Sequence, residues 1–173
     1  MISLSALFYI LVILFIMIGA MRGWAKEMLV SFSIILAIFI IVVIMPLVVK
    51  DADPKRLFFL RVAVIIGCAF FGYQTPNFRR IAESGRFIRN AARDVIMGSF
   101  VGAINGYLIV GSLWYYLAVA GYPFPQISAP DGATEAGIAA MRILDAALPG
   151  HLAAPNIYYA IAISFVIVLV MFI

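Results

Sequence analysis

The sequence predicts an all-α, polytopic membrane bundle with four to five transmembrane helices plus interfacial amphipathic helices. Two observations carry that fold class. Of the 173 residues, 66% are hydrophobic and 12% charged, about half the charge of a soluble globular chain, and a core of this size cannot hide so much apolar surface from water. The apolar residues also fall into uninterrupted stretches near the ~20 residues that cross about 30 Å of hydrocarbon as a helix. Disorder requires low hydrophobicity, and a disulfide scaffold requires several cysteines where this chain has one, Cys68. Residues 1–173 are therefore read as a single integral membrane domain, with no room for a separate catalytic domain and no internal repeat.

Taken in order, Met1 to Met21 carries no charged side chain and lacks the basic start and small-residue cleavage site of a signal peptide, so it is expected to remain as a helix. Met28 to Val49 is free of charge, and Pro46 should bend or end that helix because it removes a backbone donor and clashes one turn back. Asp53-Pro54 reads as an N-cap followed by proline at the first helical position, opening a third segment that runs to about Tyr73 with Arg61 two turns inside. The fourth segment runs from about Gly98 to Gly121. A fifth, Ile157 to Ile173, has only 17 residues and marginal length.

Basic residues beside membrane spans are retained in the cytoplasm. With all five segments spanning, Arg22, Lys26, Arg79, Arg80, Arg86, Arg89 and Arg93 share one side, while Lys50, Lys55, Arg56, Arg61 and Arg142 share the other. The expectation is an amino terminus outside and a carboxyl terminus in the cytoplasm.

Four stretches stand out. Within Phe78 to Ile96, Arg79, Arg86, Arg89 and Arg93 fall in one angular sector of a helix at about 100° per residue. This basic face suits anionic lipid headgroups, with docking of a partner protein as the alternative, and it lacks the interleaved aromatics of a nucleic-acid surface. Gly98, Gly102 and Gly106, at four-residue spacing, form a groove where another helix backbone can approach, within the bundle or between copies, with the lining of a pathway as a further alternative. Beside them Asn105 is an amide in hydrocarbon that must find a partner. The turn Arg22-Gly23-Trp24-Ala25-Lys26-Glu27 combines a glycine for a tight reversal, a tryptophan at headgroup level and a glutamate in the first turn of the next helix, at the positive end of its dipole. Arg61 is expected to snorkel to the interface, with a buried ion pair or a site on a solute path as the alternatives, and no acidic residue is expected at mid-span, which leaves a proton relay without support.

The longer connection, Tyr122 to Asn156, holds turn-forming Pro130-Asp131-Gly132 and then Ile138, Met141, Leu144 and Leu148 at near-helical spacing, with Pro149-Gly150 as the stop. It should lie on the outer leaflet or cap the bundle. His151 reads as a loop residue and Cys68 as a small packing residue. No catalytic constellation, metal-ligand spacing or phosphate loop is present in the sequence, so no enzyme activity, metal or cofactor is expected.

Two of these stretches together resemble the colicin V production protein (CvpA-like) family of bacterial inner-membrane proteins. Arg22-Gly23-Trp24-Ala25-Lys26-Glu27 is similar to that family's Arg-Gly-aromatic-x-basic-Glu turn, and Asp94 followed by Gly98, Gly102 and Gly106 to its aspartate and three spaced glycines at the start of a late helix. The resemblance covers residues 1 to about 120. It leaves 121–173, an outer loop, an amphipathic helix and a C-terminal transmembrane helix, as an addition to the family's four spans. Ser5 replaces an early acid, and Val95 and Asn105 stand where a basic residue is usual. The resemblance implies a non-enzymatic accessory in toxin (colicin V type) production or export and in envelope maintenance, acting through other membrane proteins or as a homo-oligomer. A small channel or transporter and a structural subunit of a respiratory or photosynthetic complex are the alternatives.

Overall fold

The structure is a computed structural model that describes residues 4–50, 52–74 and 91–172. All regular structure among them is helical, and four of the helices are long and apolar enough to cross a membrane. The basic residues Arg79, Arg86 and Arg89 lie outside the described residues; Arg93, the last of that face, is exposed near the start of the fourth helix.

Helix α1, Leu4–Arg22, is followed after one residue by α2, Trp24–Val48. Gly23 permits so short a joint because its φ of 83° lies in the left-handed region, while its N–H still donates to the Gly19 carbonyl at 2.9 Å. Helix α2 is not regular throughout: Trp24–Phe39 is α-helical, Ile40–Ile44 is a π turn and Met45–Val48 closes it. Pro46 supplies the reason. Its ring crowds the carbonyl one turn back and its nitrogen has no proton to donate there, and a wider turn relieves both before the chain leaves the helix at Val49.

Helix α3, Pro54–Tyr73, begins as its sequence indicates, with the Asp53 carboxylate accepting from the backbone N–H groups of Lys55 (3.0 Å) and Arg56 (3.4 Å). Helix α4, described over Ala91–Val119, includes seven residues before the expected Gly98, Arg93 and Asp94 among them. It ends in a left-handed cap. Gly121 at φ 72° donates to the Ala118 carbonyl (2.9 Å), and Tyr122 donates back to Leu117 (3.1 Å).

The expected amphipathic helix is α5, Glu135–Asp145, capped by the Thr134 hydroxyl, which accepts from the Gly137 N–H at 3.0 Å. One expectation is corrected here. The helix stops at Asp145, and Pro149 and Gly150 lie inside a separate short turn, α6, Leu148–His151. Gly137 and Ala140 are buried and Ile143 and Leu144 pack behind them, while Ile138 and Met141 face outward. The last helix, α7, Asn156–Phe172, is apolar but shorter than the four candidate spans.

Helices α1 and α4 run antiparallel along their full contact, with Gly19 beside Gly98 at one end and Phe8 beside Trp114 toward the other. Helix α2 packs against α3, α4 and α7, and supplies the centre of the core through Val30, Ile34, Ala37, Ile38 and Ile41. Phe32 meets Phe165 and Phe39 meets Tyr158, so α7 is antiparallel to α2. Helix α5 covers the far end of the α1–α4 pair, where Ala140 joins Phe8, Val110 and Trp114. Arg22 and Tyr73 lie together at one end of the bundle, and Lys55 and Arg61, with Phe124 and Tyr116, toward the other.

Candidate functional site

The site is built on a backbone-to-backbone crossing. A Cβ added at Gly98 would strike the carbonyl oxygen of Gly19, one added at Gly19 would strike that of Gly98, and one at Gly102 would strike that of Phe15. At Gly106 it would come within 2.9 Å of the Phe15 Cβ and 3.1 Å of the Val12 Cα. Every glycine of the expected groove therefore touches α1, and each is required by contact, not by backbone conformation. Gly19 is the reciprocal member that sequence reasoning did not single out, although it stands four residues before Gly23. Such an approach leaves no room for side chains between α1 and α4, and the short joint at Gly23 then delivers the first turn of α2 against the middle of α4.

What arrives there is Glu27, fully buried, against Asn105, also fully buried. The Asn105 amide donates to the Glu27 carboxylate Oε2 at 2.8 Å and to the Glu27 backbone carbonyl at 2.9 Å, which uses both of its protons. Its own oxygen accepts from the Ser31 hydroxyl at 2.7 Å. The other carboxylate oxygen, Oε1, accepts from Arg22 Nε at 2.8 Å, and the Tyr73 hydroxyl at the end of α3 donates to Oε2 at 3.4 Å. Arg22 closes the ring by donating through Nη1 to the Tyr73 carbonyl (3.1 Å) while its guanidinium carbon lies 4.7 Å from the centre of the Tyr73 ring. Four helices, α1 to α4, are thereby tied through one carboxylate.

The electrostatics follow from the burial. A carboxylate removed from water is costly, and here it is compensated by a guanidinium, an amide and the N-terminal dipole of α2, in whose first turn it stands. Arg22 keeps a quarter of its side-chain surface exposed, so the charge pair communicates with the outside through the cation and not through the acid. The Nη2 of Arg22 is buried without a partner. No three His, Cys, Asp or Glu side chains converge on a metal-sized site among the described residues. Held this way, the carboxylate is suited to locking helices together.

The earlier reading of the Arg22–Glu27 turn is thus extended: Glu27 does stand in the first turn, yet it is also an acid buried within the bundle, where none was expected. Its partners Tyr73 and Ser31 carried no sequence signal beyond polarity at a helix end or in a span. Lys26 is half-buried and takes no part in the network. Asp94 is half-buried one turn before Gly98. Arg61, at the opposite end, places its guanidinium carbon 5.0 Å from the centre of the Tyr116 ring, with its Nε buried and unpartnered. Cys68 packs against the core and His151 holds the Asp145 carbonyl at 2.7 Å. Comparison of the chain with protein families, curated proteins and solved structures yields no match.

Proposed function

We propose that this protein is a CvpA-like accessory of the bacterial inner membrane, serving toxin production or export and envelope maintenance through contacts with other membrane proteins. One observation carries the reading. The two stretches that resemble the family are each other's partners: Gly19, three residues before the Arg22 turn, meets Gly98 and Gly102 backbone to backbone, and Glu27, paired with Arg22, bonds Asn105, the position where this chain departs from the family's basic residue. The glycine crossing is the part of that contact a family would share. The buried Glu27 carboxylate and Asn105 amide are engaged with each other at this lock, which favours a contact protein over a conduit. In this reading the Arg22 end faces the cytoplasm, where Arg79, Arg86, Arg89 and Arg93 meet anionic lipid or a partner.

Extraction in mild detergent is expected to retain at least one other membrane protein, and purified protein in liposomes is expected to give no ion or small-solute flux above empty vesicles. Orientation is checked with single cysteines at Ser84 and Ser128 in a Cys68→Ala background, using an impermeant thiol reagent on intact cells. Labelling at Ser84 without Ser128 overturns it. The second reading, a small channel or transporter, is favoured by the burial of an ionisable Glu27 inside the bundle. Flux that Asn105→Leu abolishes at unchanged thermal stability makes that reading the better one.

A further inference from the structure

We draw no further inference here: the strongest candidate, the enclosed Arg61 guanidinium on the Tyr116 ring between α3 and α4, with the buried and unpartnered Ser112 hydroxyl one turn before Tyr116, carries nothing, because neither polar atom bonds the other and nothing in the structure shows what group would reach them.

Discussion

Arg22 and Arg61 occupy opposite ends of the bundle, each against a tyrosine ring, at 4.7 Å and 5.0 Å respectively. They differ in what neutralises them. Arg22 has Glu27, and through it Asn105 and Tyr73; Arg61 has only the face of Tyr116. The difference teaches how to read a charge in an apolar bundle. Where the chain supplies the counter-charge, the pair is a structural lock whose removal is felt by the whole fold, and where it does not, the charge rests on a ring face and on its remaining exposure.

The contrast can be broken most directly at Glu27. Glu27→Ala leaves Arg22 without its carboxylate and Asn105 with an unanswered amide proton, and should cost about 3 to 5 kcal/mol of stability in detergent. Arg22→Met combined with Glu27→Gln should recover much of that loss, since neither unpaired charge remains. A double-mutant cycle reads the coupling, and a value near zero would show that the lock is not one. Next in size, Gly102→Leu drives a branched side chain into the Phe15 backbone and should cost roughly 1 to 3 kcal/mol or more, whereas Ala118→Leu, on the same helix but outside the crossing, should be much milder. Equal melting temperatures for the two would relocate the contact.

The smaller effects sharpen the comparison. Tyr73→Phe removes a 3.4 Å hydrogen bond and should cost about 0.5 to 1.5 kcal/mol. Arg61→Gln, measured in lipid-free detergent, should cost about 0.5 to 1 kcal/mol, because no ion pair within the chain is lost and only the ring contact goes. A loss as large as that at Glu27 would mean that Arg61 has an internal counter-charge after all.

Much of this architecture is legible because it is written locally. The apolar stretches, the Asp53-Pro54 start of α3 and the spacing of Gly98, Gly102 and Gly106 are properties of neighbouring residues, and each appears where a helix of 3.6 residues per turn places it. The lock is less legible for the converse reason. Glu27 sits in sequence between Lys26 and a span, among charges, and so reads as interfacial. Its burial comes from the α1–α4 crossing, which depends on Gly19 and on residues more than seventy positions away. Tyr73 lies at the end of a span where a tyrosine is ordinary, and nothing beside it announces a carboxylate partner. The stop placed at Pro149-Gly150 fails on a local ambiguity, since proline is as welcome in the first turn of a new helix as after the end of an old one.

The joint at Gly23 also fixes an order of events during synthesis. Arg22 and Glu27 are five residues apart and emerge from the ribosome together, so their charges can cancel within a newly inserted hairpin. Asn105 follows Glu27 by 78 residues, which at about 5 to 20 residues per second is roughly 4 to 16 s of elongation. For that interval one carboxylate oxygen waits inside the membrane for an amide not yet made. The hairpin formed by α1 and α2 is consequently complete in sequence that long before the fourth helix that closes its polar contacts.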